Sequence, residues 1–355
     1  MSADPHNPGR STGGVSYGGQ AVIEGIMMRG QRTWAVAVRR PDGAIQVERH
    51  PVHPAAQTHS WLRWPLIRGS WALIDSLRTG MKALSISTEI ADDDEELSNT
   101  EMIVTTVISV ALFIGVFIVL PNLGMSLIAD RLGGGDSIQF HLVEGVVRLV
   151  MFLVYLWGIG HIGDIKRTFQ YHGAEHQTIA AFEHGDGLDP AKIAPYSPRH
   201  PRCGTNFLLL VILLSIVVYT LAGVIVPAPD AANKTIFIGY QVGLRILLLP
   251  LIAGLAYEVL KAGAHNPLLA WMAIPGLWLQ YLTTATPEDD MFEVAIRAFQ
   301  AVAATDIQDQ RDVAHLTSPV FWSADETTET GIGPSFGPMS VAERQWVPQD
   351  TPSPD

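Results

Sequence analysis

Two stretches of this chain, 102–129 and 203–229, contain no charged side chain at all. Each exceeds the roughly 20 residues a helix needs to cross a hydrocarbon layer about 30 Å thick. A helix that is apolar all round has no face to offer water, and in lipid it satisfies its own backbone hydrogen bonds. Two further apolar runs, 142–163 and 235–257, have similar length but enclose Glu144, Arg148 and Arg245. The fold expected is mainly α: a polytopic helical membrane protein with about four transmembrane helices and a small N-terminal β-containing cytoplasmic module. Composition agrees, since only 16% of residues are charged against about 25% in soluble domains.

Lys and Arg collect on the side of a membrane protein that stays in the cytoplasm. Four crossings put the first hundred or so residues, the segment 164–202 and the C-terminal region on one side. These hold nearly all the basic residues, among them Lys166, Arg167, Lys192, Arg199 and Arg202, whereas the opposite loops offer Arg131 and Lys234. The expected location is the cytoplasmic membrane, multi-pass, with both termini in the cytoplasm. No apolar stretch opens the chain, so no cleavable signal peptide is expected. The net charge of −12 argues against a nucleic-acid partner, and much of it lies in the C-terminal tail.

The texture of the chain predicts seven segments. Residues 1–14 are expected to be disordered, and 15–65 to form a β-rich, Gly-punctuated module. In that module Pro41-Asp42-Gly43 is a hairpin turn between alternating strands. Residues 66–90 read as an amphipathic helix, because Ile67, Trp71, Ile74, Leu77, Met81 and Leu84 recur at helical spacing opposite Arg68, Asp75, Arg78 and Lys82. Such a helix lies in the membrane interface or packs on the bundle. An acidic linker (91–101) leads into the four-span region (102–257), which carries a cytoplasmic motif loop at 164–205. A membrane-adjacent bent segment and a helix follow (258–304), then a disordered acidic tail (305–355).

The residues suited to chemistry lie mostly in that loop. His172 and His176 in YHGAEH are four apart and share a helix face, with Glu175 beside them. His-x-x-Glu-His is the pattern of inverted zinc metalloproteases, two imidazole ligands and a carboxylate base. Downstream, His200 and Cys203 lie three apart immediately before a span. Imidazole and thiolate are preferred zinc ligands. As the chain's single cysteine, Cys203 has no partner for an intrachain disulfide. Folding back 183–199 would bring the two clusters together around a divalent metal, zinc by the thiol. The bland alternatives are two hydrogen-bonded histidines, and a core thiol at a helix entry capped by Thr205 or Asn206. Glu144, Arg148, Arg245 and Glu258 fall in or beside apolar spans, where ionisable groups serve function or stitch helices together. Glu24 and Arg29, in the Gly-rich segment, are candidates for anion contact or a tight turn.

Taken in order, GGQAVIEGIMMRG, LIRGSWALIDSLRTGMKAL, FQYHGAEHQTI, HPRCGTNFLLLV, RILLLPLIAGLAYEV and NPLLAWMAIPGLWLQYLTT resemble the bacterial YqhQ-like membrane family. That family is a domain of unknown function whose members are described, by prediction, as metal-dependent enzymes. The resemblance covers 16–303 and implies a metal cluster at His172, Glu175, His176, His200 and Cys203. It also implies candidate site lining by the GGQAVIEG segment and Glu258. Gln177 departs from a lysine expected after the histidine motif.

The reading that follows is an integral-membrane, metal-dependent hydrolase at the cytoplasmic membrane face. His172, His176, His200 and Cys203 would hold the ion, and Glu175 would take the proton from the attacking water. Glu24, Arg29, Arg245 and Glu258 would be candidates to line the site. The substrate would be lipid-borne or a membrane protein in the surrounding bilayer. The alternatives are a non-enzymatic scaffold or assembly factor stapled by a structural metal, and a small transporter built around Arg245 and Glu258.

Overall fold

The computed structural model describes residues 17–52, 59–92, 99–128, 131, 137–226, 234–266, 271–272, 274–307 and 320–322. Four strands, β1 (Gly18–Val22), β2 (Gly25–Arg29), β3 (Thr33–Arg39) and β4 (Ile45–Pro51), form an antiparallel meander. The turn between β3 and β4 is the one expected at Pro41-Asp42-Gly43, with Gly43 at φ +85°. The strands do not alternate apolar and polar as expected. Along β3, Thr33 to Val38 are all buried, because helices cover both faces of the sheet.

On one face Val22, Met27, Trp34, Val36 and Val38 pack on α1 (Ile67–Ala91) through Ala83, Ile86 and Ile90. On the other, Ile26, Met28, Ala35, Ala37, Ile45 and Val47 meet α5 (Gly163–His184) and α10 (Asp289–Ile307), whose Phe292, Ile296 and Phe299 are almost wholly buried. Arg39 fastens β3 to α10 by donating to the Asp290 carbonyl at 2.6 Å and the Glu293 carboxylate at 3.2 Å.

The tail expected to be without structure contributes β5 (Val320–Trp322), which pairs with Ile45–Val47 of β4. The β4 edge would otherwise offer unpaired N–H and C=O groups, and Val-Phe-Trp is a strongly strand-forming triplet.

Four helices are long and apolar enough to cross a membrane, over Ile103–Met125, Ile138–Ile159, Gly204–Gly223 and Gly239–Gly263. They belong to α2 (Asn99–Ile114, continued by a π-turn at Gly115–Val119 into α3, Leu120–Ser126), α4 (Ile138–Ile159), α7 (Gly204–Ile225) and α8 (Lys234–His265). A short α9 (Ile274–Thr283) lies between α4 and α7, burying Leu279 with Phe152, Leu156 and Leu209. It answers to the bent segment expected after the fourth apolar run.

Polar groups tie these helices together. Glu144 on α4 accepts from Arg245 on α8 at 2.5 and 2.6 Å and from Arg148 at 2.7 Å. Arg148 also donates to the Phe117 carbonyl in the π-turn at 2.9 Å. The Tyr219 hydroxyl on α7 donates to the Arg245 carbonyl at 3.1 Å.

The large apolar residues of α1 do not make its contact with the bundle. Ile74, Leu77 and Leu84 are exposed, and the helix crosses α8 through Gly69, which lies against Gly254 and Tyr257. Small residues let two helix backbones approach closely.

Candidate metal centre

α5 continues from α4 out of the bundle and into the sheet module. Its second half, from Tyr171 to Ile179, is buried almost all round. The chain then returns through α6 (Pro190–Ile193) to Cys203, which caps the N-terminus of α7 itself: its Sγ accepts from the Thr205 N–H at 3.4 Å. The cap is therefore Cys203 rather than Thr205 or Asn206. The Asn206 amide is spent on the Pro201 carbonyl and on Gln280.

This fold-back joins the two motifs. One ligand atom from each of His172, His176 and Cys203 lies within 4.8 Å of the other two. His172 Nε2 is 3.2 Å from Cys203 Sγ. Behind the cluster, His172 Nδ1–H donates to the Thr283 carbonyl and His176 Nδ1–H to the Pro198 carbonyl, both at 2.8 Å. With the proton fixed on Nδ1, each ring presents its Nε2 lone pair inward, the usual outer support of a metal-ligating histidine. A tetrahedral ion bonded at about 2.0–2.3 Å holds its ligand atoms roughly 3.3–3.8 Å apart. The three groups need to close by about 1.5 Å at most.

Local packing explains the sequence around them. Gly173 runs against the strand-like segment after α9, where a Cβ would stand 2.2 Å from the Ala285 carbonyl oxygen. The Ala285 N–H donates to the Phe169 carbonyl at 2.9 Å. That close pairing brings the Thr283 carbonyl onto His172. Gln177 donates to the Ala194 and Tyr196 carbonyls, holding the loop that ends in Pro198.

Glu175 is 3% exposed, and its Oε2 has no hydrogen-bond partner among the described residues, although it stands 3.6 Å from His176 Nε2. Burial pushes its carboxyl up to about 8, against a smaller opposing pull from His172 and the Gly19 N–H. Burial, with His172 next in effect, presses the His176 imidazole down to about 2. Both groups are neutral near pH 7 without metal, so this contact is not an ion pair. Burial also raises the Cys203 thiol.

His200, expected among the ligands, stands beside His176 with ring centroids 5.8 Å apart. Its two ring nitrogens face other partners. Nδ1 accepts from the Arg202 N–H at 3.3 Å, and Nε2 is 3.5 Å from Glu183, which also binds the Arg202 guanidinium. Burial lowers His200 to about 4. Gln280, wholly buried, bridges the His200 backbone at both its N–H and its carbonyl. As the single polar residue in an otherwise apolar stretch, Gln280 was visible as an anomaly; the Thr283 and Pro198 carbonyls had no such signal. The candidate lining residues all pair elsewhere: Glu24 with Arg167 and Tyr171, Arg29 with Asp75, Glu258 with Arg68, and Arg245 with Glu144.

These shifts set an expected pH profile for the metal-free protein. Between pH 4.5 and 6.5 unfolding lets His176 and His200 take up protons and Glu175 lose one, so stability rises with pH. From 6.5 to 8 only the Glu175 difference operates, and stability falls by on the order of 1 kcal/mol per pH unit. The stability of chelated protein against unfolding should therefore peak near pH 6.5, the ordinary histidine value. Glu175→Gln should remove the decline above the peak. A wild type that goes on gaining stability to pH 8 would show Glu175 ionised in the fold.

The fold and cluster define a helical protein of membrane-spanning proportions, with a sheet module set against one end of the bundle and a buried His/His/Cys group at the join. Comparison with known proteins agrees. Residues 64–305 match the family described as "Protein of unknown function (DUF1385)", and the chain belongs to that family. It is 31% identical over 302 residues to "Uncharacterized protein YqhQ" of Bacillus subtilis (strain 168), covering 80% of this chain and 91% of that protein. No solved structure matches the chain.

Proposed function

We propose that this protein is an integral-membrane, metal-dependent hydrolase with its site at the cytoplasmic mouth of the bundle. The reading is carried by the convergence of two Nε2 lone pairs and one thiol, with the Glu175 carboxyl beside them, whose Oε2 has no hydrogen-bond partner among the described residues. His172, His176 and Cys203 would hold the ion, and a donor set of two imidazoles and a thiolate favours zinc. When bound, zinc would supply Lewis acidity, making water more acidic and polarising a carbonyl or phosphoryl oxygen.

The chain's own groups do the rest. The Thr283 and Pro198 carbonyls hold the imidazoles in one tautomer, and Glu175, ionised once a neighbouring cation offsets its burial, would accept a proton from the attacking water and return it to the leaving group. Three protein ligands leave a coordination position free for substrate, the pattern of catalytic rather than structural zinc. That count favours the enzyme over a scaffold stapled by metal. The pairing of Arg245 with Glu144 and of Glu258 with Arg68 removes the observation that motivated a transporter. Cys203 directly precedes an apolar helix, so a substrate borne in the inner leaflet or on a membrane protein is within reach.

The test is elemental analysis of protein purified in detergent without chelator. Wild type should carry about one zinc per chain, falling to almost none in His176→Ala. Metal content that both His176→Ala and Cys203→Ser leave unchanged would overturn the proposal.

A further inference from the structure

The apolar stripe of α1 continues from the exposed Ile74 and Leu77 through Met81 to Leu84. Where it passes the start of α2 the two helices do not close on each other. They leave a cleft of about 370 Å³ lined by Met81, Lys82 and Ser85 of α1 and by Ile103, Thr106 and Val107 of α2. The walls are almost wholly apolar, and the one charge is the Lys82 ammonium. Lys82 has no carboxylate partner among the described residues; its Nζ stands 5.7 Å from the centre of the Trp34 ring. Ile103 begins the apolar span that α2 opens, and that span is the least covered of the four by the rest of the protein. If that helix crosses the membrane, the cleft opens where hydrocarbon meets headgroups.

An apolar slot with a single unpaired cation, at that level, is complementary to an amphiphile with an anionic head. Lysine binds phosphate as a compact point charge, and basic residues beside a span attract anionic lipid. We infer that the cleft binds one anionic phospholipid, its phosphate at Lys82 and an acyl chain between Met81, Ile103 and Val107. This site is separate from the metal cluster and stands or falls without it.

The test uses full-length protein reconstituted in vesicles of phosphatidylglycerol or of phosphatidylcholine, re-extracted in mild detergent and weighed by native mass spectrometry. Wild type should retain one phosphatidylglycerol and no phosphatidylcholine. Retention should fall about ten-fold in Lys82→Glu and similarly in Thr106→Trp, which fills the slot without touching the charge. Lys192→Glu, an exposed charge on α6, should behave as wild type. Equal retention of both lipids, or retention that survives both cleft substitutions, would overturn the inference. So would a dimer that Thr106→Trp converts to monomer, since the cleft would then be an interface between copies.

Discussion

Glu144→Ala is expected to cost the bundle about 3–5 kcal/mol, the usual penalty for stranding buried charge. Glu144 is 1% exposed and is the acceptor shared by Arg245, itself 2% exposed, and Arg148. Removing it leaves two guanidinium groups among apolar helices without a carboxylate, where lipid offers no solvation. Unfolding in increasing detergent denaturant, followed by far-ultraviolet circular dichroism, measures the loss. The companion experiment replaces Glu144, Arg148 and Arg245 together by methionine. Because the desolvation cost disappears with the charges, the triple variant should recover at least half of the lost stability. A Glu144→Ala protein as stable as wild type would mean that the two arginines do not depend on that carboxylate.

Glu175→Gln should lower turnover by about 10²–10⁴-fold on any ester or phosphoester the wild type hydrolyses. The amide keeps the volume and the Gly19 contact but cannot take up a proton. Metal content should remain at the wild-type level, because the expected ligands are His172, His176 and Cys203. That split distinguishes a proton-transfer group from a ligand: loss of zinc along with activity would move Glu175 into the coordination sphere. Full activity in Glu175→Gln would remove the carboxylate from the chemistry.

A good part of this architecture was legible in the chain because its signals are physical constraints. An apolar run of some 20 residues has few other uses, so the four long apolar helices stand out even where Glu144, Arg148 and Arg245 interrupt two of them, and a Pro-Asp-Gly turn between apolar runs can do little but fold back. The amphipathic reading of 66–90 located α1 but left open whether its apolar face meets protein. The hydrophobic stripe marks where water is absent, and lipid satisfies that as well as a neighbouring helix does. The contact to α8 falls instead on Gly69, which a hydrophobicity pattern does not register. The alternation read into β3 failed for a related reason: a sheet covered on both faces has no polar side to display.

At the candidate site, residue type and spacing led to His172, His176 and Cys203 because imidazole and thiol are few and chemically distinctive. They could not separate His200 from its neighbours, since its role turns on Glu183 and the Arg202 N–H. Nor could they show the carbonyls of Thr283 and Pro198, which every residue possesses.

The sheet module is assembled from both ends of the chain. Arg39 bonds to Asp290 across 251 positions, and Phe292, Ile296 and Phe299 complete a core begun by Ile26 and Met28. On the ribosome, β1 to β4 therefore emerge long before their covering helix exists. Four apolar helices must be made and sorted in the interval, while one face of the young sheet stays bare. Long-range pairing of this kind is slow and exposed to aggregation. The last described triplet to join, Val320–Trp322, closes the open edge only after all four apolar helices have been made.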